Sequence, residues 1–240
     1  MNDAQKEIEN LLEQWKIERN YGDQMTWDGI LDDEYWHSSP RILCLLKDSH
    51  DDFRCIAPAI NGHGPKGSSP IFWKRLHSWI EVIRNQWNGV SVGSDTIARI
   101  QKDPVRSIGY VNIKKEIGKP KVSWSTIRSF AEADKDYLKR QIHLINPQVI
   151  LCCGSNLSEG VSVFSILKDI IMKDEPFVDT LLLPEETFRI RHYGSWLAIN
   201  WWHPSYPNKE KTDWRNLNKY LGRDEVQNCI SQLKHNYGKE

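Results

Sequence analysis

Arg41-Ile-Leu-Cys-Leu-Leu-Lys-Asp-Ser-His-Asp-Asp-Phe53 is the stretch on which the fold turns. Ile42 to Leu46 is an unbroken apolar run, too short for a helix and suited to a strand buried on both faces. It breaks off at Lys47-Asp48-Ser49-His50-Asp51-Asp52. In open α/β sheets ligands gather outside the carboxyl ends of strands, and Asp48 is expected at such an end. The plainer reading of the same residues is a loop whose Asp and Ser side chains cap the next turn or helix.

Working outward, two more apolar runs match the first. Ile108 to Ile113 leads into Lys114-Lys115, and Val149 to Cys153 closes on Gly154-Ser155-Asn156. Helical patterns separate them. Ser69 caps and Pro70 opens a helix whose stripe Phe72, Leu76, Trp79, Ile80, Ile83 and Trp87 is read as core. Further helices are expected over about 131–145 and 160–172. Phe188–His192 and Trp196–Trp201 are expected to pair as a hairpin about Tyr193-Gly194. Amphipathic helices over 2–20, with Ile8, Leu11, Leu12 and Trp15 on one face, and over 224–236 close the two ends. Strand and helix alternate at lengths suited to crossovers, which predicts a three-layer α/β/α fold with a small, mainly parallel central sheet. No linker or repeat divides the chain. It is read as one domain: a helix and wrap over 1–38, a core over 40–210 and a helical segment over 211–240.

Composition narrows the function classes. Apolar residues make up 39% and charged ones 27%, as in a water-exposed globular chain, and no apolar run approaches the ~18 residues of a membrane span. The start lacks a signal-peptide core, and five cysteines without paired C-x-x-C spacing read as reduced core thiols in a cytoplasmic protein. The 32 basic and 32 acidic residues cancel, which argues against a protein that coats nucleic acid but leaves room for a local basic face. The 11 tryptophans are many, and some are expected on a surface that stacks bases or sugars.

Three strand ends then stand in order: Lys47-Asp48-Ser49-His50, Val111-Asn112 and His203-Pro204-Ser205. A fourth landmark, Ile145-Asn-Pro-Gln-Val-Ile-Leu-Cys-Cys-Gly154, is a proline-led strand ending in glycine. Together they resemble the uracil-DNA glycosylase superfamily over about residues 40–210. The resemblance implies a monofunctional, metal- and cofactor-free enzyme, acting as a monomer on DNA. It would flip a pyrimidine out of the stack and hydrolyse its N-glycosidic bond.

The residue types suit that chemistry. An oxocarbenium-like sugar needs a nearby carboxylate, for which Asp48 is the candidate. The departing base needs a hydrogen-bond donor at its carbonyl, for which His203 is the candidate. Asn112 offers both amide functions to a base edge, with Ser49, His50 and Phe53 lining the same pocket. Ser68, Ser69 and Ser205 are assigned to DNA phosphates, as is the lysine cluster led by Lys114 and Lys115. Tyr206 is assigned as a wedge.

In uracil-specific members Pro-Tyr follows the aspartate, and that tyrosine crowds the 5-position. Ser49-His50 stands there instead, which points to a base bulky at C5, such as the glucosylated hydroxymethylcytosine of some phages. Asp51 and Asp52 would meet sugar hydroxyls, and Trp73, Trp201 or Trp202 would stack on a sugar face. Three alternatives stand beside this one: an ordinary uracil or mismatch repair glycosylase, a non-catalytic DNA-binding module on the same scaffold, and a nuclease whose metal sits among Asp48, Asp51 and Asp52.

Overall fold

The apolar runs at 42–46 and 149–153 lie side by side at the centre of a seven-stranded mixed sheet, in parallel register from Ile42 opposite Val149 to Leu45 opposite Cys152. The computed structural model describes residues 3–50, 70–90, 92–93, 104–118, 122–156, 160–182 and 188–237.

In chain order the elements are α1 (Asp3–Arg19), β1 (Gly29–Ile30), α2 (Glu34–His37), β2 (Ile42–His50), α3 (Pro70–Trp87), β3 (Gly109–Gly118) and α4 (Trp124–Ile145). Then come β4 (Val149–Cys153), the short ribbon of β5 (Ser155–Asn156) and β6 (Val161–Ser162), and α5 (Val163–Ile166), which runs on into a π-helical turn at Leu167–Ile171. β7 (Asp179–Leu182), β8 (Arg189–His192), β9 (Leu197–Trp201), α6 (Trp214–Leu221) and α7 (Asp224–Tyr237) complete the chain. The sheet order is β1-β3-β2-β4-β9-β8-β7. The four strands β3, β2, β4 and β9 are mutually parallel, and the pairings outside them are antiparallel. Half the ladder is therefore antiparallel, so the sheet is more mixed than the alternation of strand and helix predicts.

Side-chain alternation along the buried strands divides the core in two. Ile42, Cys44 and Leu46 of β2 pack with Tyr110, Leu151, Ile199 and residues of α3, α6 and α7. Leu43 and Leu45 point the other way and pack with Val111, Ile150, Ala198 and residues of α1, α4 and α5. Each fully buried Leu or Ile contributes roughly 1.5–3 kcal/mol, and both faces of the central strands are occupied, which is why they read as continuous apolar runs.

The helices start and stop for local reasons. At the head of α4 the Ser123 hydroxyl accepts from the Thr126 N–H at 3.1 Å, about two turns earlier than apolar periodicity alone indicates. Its end is set by Asn146 at φ 48°, ahead of Pro147. β2 outruns its apolar stretch because β3 keeps offering ladder partners: Asp48 pairs with Lys114, and His50 with Gly118 across a shift of register. Asp48 therefore belongs to the strand itself, where the sequence places it in the following loop. β1 and β7 carry no period that the sequence reading detects, whereas α6 lies inside the helical segment expected over 211–240. No helix among the described residues is long and apolar enough to cross a membrane.

Candidate active site

The crossovers create a crevice. The chain leaves β2 for α3 on one face of the sheet and leaves β4 for α5 on the other. Neighbouring parallel strands whose connections part to opposite faces open a gap at their carboxyl ends, the usual ligand position in such sheets.

Asp48 lies near the carboxyl end of β2, and His203 lies two residues past the carboxyl end of β9. Leu45, Cys152 and Asn200 are aligned across β2, β4 and β9, and Asp48 and His203 each lie three residues beyond that row. The middle strand does not reach so far: β4 ends at Cys153, and the chain turns away at Gly154, whose φ of 134° favours glycine. Neighbouring strands are about 4.8 Å apart, so β2 and β9 flank a trough about 10 Å wide.

On one wall the Asp48 side chain is 4% exposed. Its Oδ2 has no hydrogen-bond partner among the described residues, and Oδ1 lies 3.6 Å from the Lys47 ammonium, which also donates to the Val122 carbonyl at 3.1 Å. A buried carboxylate oxygen without a donor is costly to fold, and such groups concentrate where chemistry uses them.

On the other wall His203 Nδ1 accepts from the Ser205 backbone N–H at 3.1 Å. That contact needs an unprotonated Nδ1, so in the neutral ring the proton sits on Nε2 and makes that atom a donor. The turn holding the imidazole is pinned from α3: Arg75 Nη1 donates to the Pro204 and Tyr206 carbonyls at 2.8 and 2.5 Å. Rings continue beneath it. Phe72 lies 5.8 Å from His203 and 4.7 Å from Trp73, which lies 6.4 Å from Tyr110 of β3. The first turn of α3 thus spans the site from β3 to β9.

Asn112 sits two residues beyond Tyr110, on the same face by alternation, and pairs with Leu46 of β2. It is 2% exposed, and its Nδ2 donates to Asp28 Oδ2 at 3.1 Å, beside its own backbone N–H at 2.6 Å. The other Asp28 oxygen accepts from Lys115 Nζ at 2.5 Å and Gln141 Nε2 at 2.9 Å. Burial holds the Lys115 pKa below the ordinary lysine value, against the opposing pull of Asp28. Asp28 lies in an irregular stretch before β1, and nothing in its sequence neighbourhood signals this role.

Several assignments made from sequence are corrected. Lys115 is fully buried and ion-paired to Asp28; Lys114 is 5% exposed and 3.4 Å from a Glu116 carboxylate oxygen. Neither faces phosphate, because β3 extends into the core where a surface loop was expected. Trp201 lies in the core, edge-on to Trp79 and Phe188, so it stacks on no sugar. Trp202 is buried and stacks on Tyr206 at 4.7 Å, which commits both rings; Tyr206 is therefore not a wedge held out toward a duplex. All 11 tryptophans are buried or partly buried, and Trp73 belongs to the ring series under the site.

Ser205 is exposed, but its N–H is spent on His203. Ser49 is buried, and His50 ends β2 opposite Gly118. Asp51, Asp52, Phe53, Ser68 and Ser69 lie outside the described residues.

No protein-family model matches the chain, and no curated protein matches it.

Proposed function

We propose that the protein is a monofunctional DNA glycosylase of the uracil-DNA glycosylase type, built on a three-layer α/β/α scaffold. The observation that carries this reading is the pair over the trough: a buried carboxylate with an oxygen unpartnered among the described residues, and an imidazole whose Nε2 carries the proton. One lies near the carboxyl end of β2 and the other just past the carboxyl end of β9, with a glycine-ended strand between.

A base drawn out of the stack and laid in that trough has its sugar toward Asp48 and its carbonyl toward His203. As the C1′–N bond breaks, positive charge grows on the sugar and negative charge on the base. Asp48 stabilises the first and orients the attacking water, and His203 Nε2–H donates to the second. Water supplies hydroxyl to C1′ and a proton to the released base, leaving an abasic site. No metal or cofactor takes part. The substrate is a pyrimidine bulky at C5, glucosylated hydroxymethylcytosine of phage DNA being the chosen case, because Ser49-His50 replaces the residues that close the uracil pocket. In this reading the protein works as a cytoplasmic monomer.

The test is base release. Oligonucleotides carrying glucosylated hydroxymethylcytosine, hydroxymethylcytosine, uracil or plain cytosine are incubated with the protein and then treated with alkali to cleave abasic sites. Strand cleavage for the glucosylated base, lost in Asp48→Asn and reduced about 10²–10³-fold in His203→Ala, is the expected result. Release of uracil alone narrows the protein to repair, and no release from any strand overturns the enzyme.

A further inference from the structure

Resting on that reading, we infer that Asp28 is a positioning residue that locks the Asn112 amide and thereby sets which base edge the site accepts. A neutral asparagine amide can flip and exchange its donor for its acceptor at little cost, so an unrestrained Asn112 would serve 4-amino and 4-keto pyrimidines alike. Here the flip is blocked. Asp28 Oδ2 accepts from both the backbone N–H and Nδ2 of Asn112, and turning the amide would set Oδ1 against a carboxylate oxygen.

The carboxylate cannot move aside, because its other oxygen is held by Lys115 and Gln141 in a fully buried network. Asn112 Oδ1 makes no hydrogen bond among the described residues, and Asn112 shares a sheet face with Leu46 and, two residues on, Asp48. The amide is therefore held in one orientation only, on the sheet face that Asp48 shares. A site that hydrogen-bonds one pattern of base donors and acceptors rejects the other, because its own buried groups are then left unpaired.

The experiment compares single-turnover release from two matched duplexes, one with a glucosylated 5-hydroxymethylcytosine and one with the corresponding uracil. The wild type should discriminate. Asp28→Leu with Lys115→Met, which removes both buried charges together, should bring the ratio down at least about tenfold. Asp28→Asn with Lys115→Met keeps an acceptor oxygen and should restore most of it, and Gln141→Met, which removes one of the two restraints on the carboxylate, should lower it less. An unchanged ratio in the folded Leu/Met variant, or a ratio that Asp28→Asn with Lys115→Met fails to restore, overturns the inference.

A second readout needs no activity. The Asn112 side-chain amide protons should exchange slowly in the wild type by NMR and rapidly in the Leu/Met variant. Rapid exchange in the wild type removes the lock even if that variant fails to fold. If the wild type releases neither base, the glycosylase reading falls, and the amide exchange still decides whether Asp28 holds Asn112.

Discussion

Asp48 is the residue where folding and chemistry pull in opposite directions. Its Oδ2 is buried with no donor among the described residues, a cost of about 1–3 kcal/mol that Lys47 at 3.6 Å from Oδ1 only partly offsets. Asp48→Asn removes the charge while keeping the shape. It should abolish base release yet raise stability by about 1 kcal/mol, seen as a higher melting temperature of the inactive variant. A variant both inactive and less stable would show that the carboxylate is held by contacts other than these. Asp48, Asn112 and His203 were legible because their residue types interrupt apolar strands. Their surroundings were not: Asp28, Arg75 and Lys47 act through contacts distant in sequence, as Arg75 does on Pro204, or peculiar to the fold.

Among the elements, α3 connects the two halves of the site. It follows the segment that leaves β2, and its first two turns carry Phe72 against the His203 ring and Arg75 onto the turn that holds it. The helical stripe correctly marks Leu76, Trp79, Ile80, Ile83 and Trp87 as core, and Phe72, at the end of the same stripe, packs against that core while its ring also meets His203. Periodicity says which face of a helix is apolar; it cannot say that one apolar ring will meet an imidazole. Arg75→Met keeps the aliphatic stem and loses both hydrogen bonds to the turn. It should lower the single-turnover rate about tenfold or more with substrate affinity little changed, because a displaced donor weakens the transition state more than the ground state. Equal losses in rate and affinity would instead assign Arg75 to DNA binding. A matching test of the core is Leu151→Ala in β4, fully buried, which should cost about 2–5 kcal/mol in denaturant unfolding.

Over the whole molecule, the proposed function would leave DNA affinity to local cations, since the net charge is zero, and burial changes which cations those are. Lys114 and Lys115 are buried, whereas Lys209 and Lys211 are exposed just past the His203 turn, with Lys211 Nζ 5.1 Å from the Trp202 ring centre. Lys211→Ala should flatten the plot of log affinity against log salt by about 0.9, and Lys114→Met should not, in binding titrations from low to moderate salt.

The core also has a pH signature. Burial pushes the Cys152 and Cys153 thiols well above the ordinary value. The unfolded chain ionises its thiols near pH ~8.5 while the folded chain keeps them protonated, so this contribution is complete below that pH and is lost as pH rises above it. Melting temperature should therefore fall between about pH 8.5 and 10.5, with a shallower slope in a Cys152→Ala, Cys153→Ala variant.

By itself the sequence determined the α/β class, the central strands and the bodies of the principal helices. Those follow from properties local in the chain: apolar runs with no polar face and 3.6-residue periodicity. It also marked Asp48, Asn112 and His203, because polar groups at the ends of buried strands need a reason. Only the tertiary structure decided that Asp48 and His203 stand on either side of a shortened strand, that the lysines of β3 lie inside, and that the tryptophans belong to the core. Register, strand order and the face taken by each crossover come from the summed pairing and packing of distant segments. No window of residues contains that sum.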